Sequence, residues 1–157
     1  MVTIQISTSI AADITRCFDL SRSIDLHLKS SLQAEEAIAG ITTGLIGAGE
    51  QVTWRARVLR VRLKHTSLIS KFQPPNYFQD TMLSGAFQYY CHDHRFSEQN
   101  GTTQMLDIVD LSAPFGFLGR AIERVWLRKY MTDLIERRAN HIKQVAESSD
   151  WRKYLVG

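Results

Sequence analysis

His92, Asp93 and His94 stand side by side in the sequence. In an extended strand successive side chains point to opposite faces, so His92 and His94 share one face and Asp93 takes the other. Tyr90 and Phe96 fall on the histidine face. Two imidazoles at this spacing can supply two ligands to a metal ion, leaving one or two to come from elsewhere. His65, in a different segment, is the candidate third. The plainer account is a pair of strand histidines hydrogen-bonded to neighbours or solvent. Without a placed third ligand an HxH pair does not specify a metal, so neither a metal nor a cofactor is assigned.

General acid–base chemistry needs a histidine or carboxylate whose pKa lies near the working pH. The polar strand residues that qualify are His65, His92, His94, Asp80, Asp107 and Asp110, with His92 and His94 the leading catalytic candidates. The strands also carry Arg55, Arg57, Arg60, Arg62 and Arg95, and a buried carboxylate needs such a partner. Pairing with these arginines is the structural explanation for the acids. No nucleophile elbow, phosphate loop or HExxH segment occurs in the sequence, which removes the best-marked enzyme classes.

The aromatic set is richer. Large aromatic side chains at alternating positions build cores, while Tyr and Trp also offer a polar atom to a ligand. Trp54, Phe87, Tyr90, Phe96, Trp126 and Tyr130 are the candidate lining of a small-molecule site, with His65, His92 and His94 as its orienting polar groups. A register shift of one residue would exchange this set for the residues between.

These residues need a sheet and a cover. Val2 to Ile10 alternates as a half-buried strand. Asp13 to Asp19 reads as a short helix with Ile14, Cys17 and Phe18 inward, and Ser21 reads as the N-cap of a second one. Gln33 to Ile41 is a weak strand. Gln51–Arg60, Arg62–Phe72, Tyr77–Phe87, Gln88–Ser97 and Thr102–Leu111 are strands. The first of these places Val52, Trp54, Ala56 and Val58 on one side. Pro74 and Pro75 end the second, and Asn100-Gly101 is a hairpin signal before the last. From Pro114 to about Ser148 the pattern becomes helical, with Leu118, Ile122, Val125, Trp126, Tyr130, Met131, Leu134, Ile135, Ile142 and Val145 on one face and Leu127 widening it. At about 1.5 Å per residue this helix would be roughly 45–50 Å long. Its other face carries Arg120, Arg124, Arg128, Lys129, Arg137 and Arg138, with Asp133 and Arg137 as a compensating pair.

The expected fold class is therefore α+β, with six to seven antiparallel strands, two short helices after the first strand, and one long C-terminal helix over the sheet. A curved sheet around one helix leaves a gap, and such concave, mostly apolar gaps bind small molecules. The 157 residues fit one domain, 1–157. A hydrophobic share of 44%, a charged share of 22% and a net charge of +3 are ordinary for a globular chain. That charge is too weak to argue for nucleic acid as a partner. Cys17 and Cys91 lack metal or redox spacing and read as reduced, buried thiols. No secretory segment or spanning run of apolar residues is present, so the expected location is cytoplasmic. A monomer or weak homodimer is the default.

Several segments together carry a likeness to a known superfamily: Gly49-Glu50-Gln51-Val52-Thr53-Trp54-Arg55-Ala56, His65-Thr66-Ser67-Leu68-Ile69, Pro75, Phe78-Gln79-Asp80, Gly85-Ala86-Phe87, His92-Asp93-His94-Arg95-Phe96, Gly101-Thr102-Thr103 and Pro114-Phe115-Gly116-Phe117-Leu118-Gly119. With them the chain resembles the helix-grip fold of the START-like superfamily, also called SRPBCC and including the birch-pollen-allergen relatives. It is most similar to bacterial ligand-binding SRPBCC-domain proteins of unassigned function. The resemblance implies fold across nearly the whole chain. The superfamily hosts carriers, sensors and enzymes, so fold alone does not set chemistry.

Three readings follow. The first is a carrier or sensor that holds a hydrophobic or amphipathic small molecule between sheet and helix. The second is a cyclase-, dehydratase- or hydrolase-like enzyme using His92 or His94. The third is an interaction module using the basic face of the last helix.

Overall fold

A computed structural model describes residues 1–30, 35–58, 61–114 and 126–155. Strand β1 (Val2–Ile10) alternates as its sequence requires, with Val2, Ile4, Thr8 and Ile10 buried. Helix α1 (Ile14–Ser21) is opened by Asp13, whose carboxylate accepts from the Arg16 N–H at 2.9 Å. A side-chain acceptor of this kind satisfies one of the unpaired amides of the first turn. Helix α1 buries Cys17, Phe18 and Leu20. Helix α2 (Ile24–Ser30) is capped by Ser23, not by the expected Ser21. The Ser23 hydroxyl accepts from the Leu26 N–H at 3.3 Å, while Ser21 ends α1 and donates to the Cys17 carbonyl at 2.8 Å.

Six strands follow: β2 (Glu36–Gly40), β3 (Gln51–Val58), β4 (Val61–Gln73), β5 (Tyr77–Ser84), β6 (Tyr89–Gln99) and β7 (Thr102–Ser112). All seven form one antiparallel sheet in the order β1-β7-β6-β5-β4-β3-β2. Strand β2 is shorter than Gln33–Ile41, and residues 31–34 lie outside the described set. Strand β5 stops at Ser84 rather than Phe87. At Gly85 there a Cβ would sit 2.7 Å from Met82 Sδ and 2.9 Å from His65 Nδ1, so these side chains would have to shift to admit one. Asn100 and Gly101 both take positive φ, 54° and 74°, as a two-residue hairpin turn requires.

The last long helix is α3 (Arg128–Ala146), with helical dihedrals already at Leu127. The expected start near Pro114 cannot be compared, because 115–125, with Leu118, Arg120, Ile122, Arg124 and Val125, lie outside the described residues. Leu127, Met131, Ile135 and Ala139, every fourth residue, form its buried line, continued by Val145 and Ala146. Ala139 was not part of the expected stripe. A short turn (Ser149–Trp151) and helix α4 (Arg152–Leu155) follow. Asp133 pairs with Lys129 at 2.9 Å instead of the expected Arg137. Arg138 turns inward to Glu35 at 3.0 Å rather than joining a solvent-facing basic face.

Two apolar clusters hold helices to sheet. In one, Phe18 of α1 meets Phe72, Phe78 and Phe96 edge-on, with ring centroids 5.5–5.6 Å apart. In the other, Leu127, Met131 and Ile135 of α3 pack on Val2, Ile4, Tyr90, Val109 and Leu111. Fully burying one such side chain contributes about 1.5–3 kcal/mol. No described helix is long and apolar enough to cross a membrane.

Candidate functional site

The two clusters do not close the whole space between sheet and helix. A cavity of about 350 Å³ remains, lined from the sheet by Val52, Trp54, Ala56, Leu63, His65 and Tyr90 and from α3 by Met131, Leu134, Ile135 and Ile142. Trp126 and Tyr130 stack on each other along its wall, centroids 4.8 Å apart. Phe87 lies parallel to Tyr90 at 5.7 Å, and His65 meets Tyr90 edge-on at 5.1 Å. Trp54, His65, Phe87, Tyr90, His92, His94, Trp126 and Tyr130 thus all border one cavity. Phe96 does not. It points to the same face, but Phe18 and Phe78 enclose its ring and make it core.

At the floor of this cavity four polar side chains meet on the inner face of β5, β6 and β7. Strand pairing sets Asp80 opposite His92 and His94 opposite Asp107, and opposite or diagonal residues on one face are within side-chain reach. His92 Nε2 lies 2.9 Å from Asp107 Oδ1. His94 Nδ1 lies 2.9 Å from that same oxygen but off hydrogen-bond alignment. Asp80 Oδ2 is 3.2 Å from His94 Nε2 and 3.7 Å from His92 Nδ1. Phe78 stacks on His94 at 4.1 Å and fixes that ring from the other side. His65 joins only through Ser67: its Nε2 is 3.0 Å from Ser67 Oγ, which donates to Asp80 Oδ1 at 3.4 Å.

The electrostatics follow from burial and these partners. Burial alone would lower His94, but the adjacent carboxylates of Asp107 and Asp80, the latter hydrogen-bonded to it, outweigh this and raise His94 to about 9. Burial also lowers His92, and the neighbouring His94 adds to this. Asp107 and Asp80 resist the upward push of burial because both imidazoles stabilise their charged forms, and each carboxyl is held below its ordinary value. The Tyr90 phenol is pushed up by burial and remains a neutral donor.

A second polar group borders the same cavity. Arg138 and His27 approach one Glu35 oxygen at 3.0 and 3.5 Å. Arg138 Nε is buried with no hydrogen-bond partner among the described residues, and His27 Nε2 has only the long approach to Glu35 among them. Buried donors of this kind are normally satisfied by water or by a ligand. His27 also lies flat on Trp54, centroids 4.1 Å apart.

The expectation that arginines neutralise the strand carboxylates fails at the site, where histidines do so. Asp110 takes no part, its carboxylate accepting instead from Thr3 at 2.5 Å. The sequence analysis does not place His27, Glu35 or Arg138 at the site, and it puts Arg138 on the basic helix face instead. His27 alone carried a usable signal, since it follows the inward Ile24 by three residues on α2.

Neither a comparison with protein-family profiles nor one with curated protein sequences gives a match. Solved structures do match. A protein from Thermus thermophilus shares 13% identity, with a TM-score of 0.74, over 91% of this chain and 95% of that one. A START superfamily protein from Mycobacterium smegmatis shares 8%, with a TM-score of 0.68, over 92% and 97%. Ginseng (Panax ginseng) major latex-like protein 151 shares 11%, with a TM-score of 0.68, over 94% and 98%. At these identities the likeness concerns fold. Seven antiparallel strands gripping one long C-terminal helix, superposable on these structures nearly end to end, give this chain the START-like (SRPBCC) helix-grip fold.

Proposed function

We propose that this chain is a single-domain cytoplasmic carrier or sensor that binds a hydrophobic or amphipathic small molecule between the sheet and α3. The observation that carries this reading is the cavity of about 350 Å³ with a largely apolar wall and a few convergent polar groups. Its volume is at the small end of the range for small-molecule sites, roughly 300–1,000 Å³. Apolar contact with Trp54, Leu134 and Tyr130 supplies most of the affinity. A polar end with a hydrogen-bond acceptor is directed by Arg138 Nε, which has no hydrogen-bond partner among the described residues. START-like neighbours are consistent with a ligand-binding fold.

The first test is native mass spectrometry of the purified protein against its denatured mass. A co-purified small molecule supports the carrier reading, and its mass narrows the chemical class. The second is titration with a fluorescent fatty-acid-like probe. Saturable binding in the wild type, weakened by Tyr130→Arg, is expected. Binding of equal strength in Tyr130→Arg would count against this cavity as the site.

A further inference from the structure

We propose that Asp80, His92 and His94 form a binding site for one divalent first-row transition-metal ion at the floor of the cavity, with Asp107 as the carboxylate that orients both histidines. One ligand atom from each of the three lies within 4.8 Å of the other two. The relevant separations are 3.2 Å from Asp80 Oδ2 to His94 Nε2 and 3.7 Å to His92 Nδ1. Ligands about 2.0–2.2 Å from a tetrahedral ion stand roughly 3.3–3.5 Å apart. Both carboxylate–imidazole separations therefore lie within a few tenths of an ångström of the spacing around an ion.

The far nitrogens strengthen the case. A ligating histidine usually donates its other N–H to a carboxylate, which fixes tautomer and ring orientation. Here Nε2 of His92 donates to Oδ1 of Asp107 at 2.9 Å, and Nδ1 of His94 lies 2.9 Å from the same oxygen, needing only a ring rotation to align. That leaves Nδ1 of His92 and Nε2 of His94 turned toward Asp80.

Charge points the same way. Asp80 and Asp107 are two carboxylates with side chains 16% and 6% exposed. With two neutral imidazoles they carry a charge of −2, and an ion of charge +2 balances it. Two imidazoles and a carboxylate suit zinc, iron(II) or cobalt(II) rather than calcium or magnesium, which prefer all-oxygen sets. Three protein ligands leave coordination positions open, and all three residues border the cavity. A carbonyl, hydroxyl or carboxylate of the bound small molecule can complete the shell. Only this last point rests on the carrier reading. The ion site stands on the four side chains.

The experiment is titration of chelator-treated full-length protein with Co²⁺, followed by visible d–d absorption and by competition with Zn²⁺. One saturable equivalent per chain, displaced by Zn²⁺, is expected. Asp107→Asn should weaken it about 10- to 100-fold, and the Asp80→Ala, His92→Ala double variant should abolish it. Because the double variant removes buried partners and can fail to fold, wild-type NMR of the Co²⁺ form provides a second measurement. Two exchangeable imidazole N–H protons, strongly shifted by the cobalt, are expected. Absence of a saturable band in folded wild type, no shifted N–H pair, or affinity unchanged in Asp107→Asn overturns the site. Fluorescent-probe binding run in parallel separates the two ideas: probe without cobalt sinks the ion site alone, and cobalt without probe sinks the carrier reading alone.

Discussion

Nε2 of His92 donates to Oδ1 of Asp107 across 2.9 Å, with both side chains no more than 7% exposed. Removing one partner of a buried pair strands the other, at a cost of about 3–5 kcal/mol. Asp107→Ala is therefore expected to lose that much stability in urea or guanidinium unfolding of the metal-free protein. The His92→Ala, Asp107→Ala double variant should lose clearly less than the sum of the single losses, because the two share one interaction. Strict additivity would mean that the pair is not coupled.

A pH effect is expected from two other histidines. Burial lowers His27, with Arg138 adding to the effect and Glu35 only partly opposing it. Burial likewise lowers His65 against the opposing charge of Asp80. Unfolded, each returns to its ordinary value of 6.5. As pH falls through about 6.5 the unfolded chain takes up protons that the folded chain refuses, so this contribution to stability is present at higher pH and lost toward acid. The His27→Gln, His65→Gln double variant should show a flatter decline between about pH 7 and 5. An identical slope in both proteins contradicts this assignment.

Gly40 is expected to tolerate no side chain. Its φ is +75°, and a Cβ there would lie 2.1 Å from the Gln51 carbonyl oxygen, which is backbone and cannot step aside. Positive φ in a residue other than glycine costs about 1–3 kcal/mol by itself. Gly40→Ala should exceed that range in chemical denaturation. Gly44, with the same sign of φ and nothing within 4 Å of its would-be Cβ, should stay inside it.

Filling the cavity separates binding from folding. Leu134 is half-buried and borders the open volume. Leu134→Trp should reduce affinity for the fluorescent probe at least about tenfold, or about 1.4 kcal/mol. Its thermal midpoint should stay close to that of the wild type, because the added ring enters empty space. An unchanged Kd would place the probe elsewhere.

The sheet was readable in the sequence because alternation and turn chemistry are local. Val2 to Ile10, the Asn100-Gly101 turn and the inward row Tyr90, His92, His94 and Phe96 each follow from neighbours a few residues away. What could not be read was distance across the sheet. Asp80 was visible as a strand acid, yet nothing in its own segment says that it lies opposite His92; that depends on the register of β5 against β6. The third member of the histidine cluster was consequently sought in His65, which reaches Asp80 only through Ser67. Phe96 was placed in the wall because its face was known, but the position of Phe18 over it was not. Helix periodicity puts Arg138 on the polar face and does not reveal Glu35, more than 100 positions earlier, as its partner.

The sheet order sets a constraint on the birth of this protein. Strand β1 has a single neighbour, β7, and Val2 is matched to Leu111. During synthesis the first strand must wait, unpaired, until residues beyond Leu111 have left the ribosome. Pairings this distant in sequence place folding at the slow end of the scale for small domains, in milliseconds to seconds rather than microseconds.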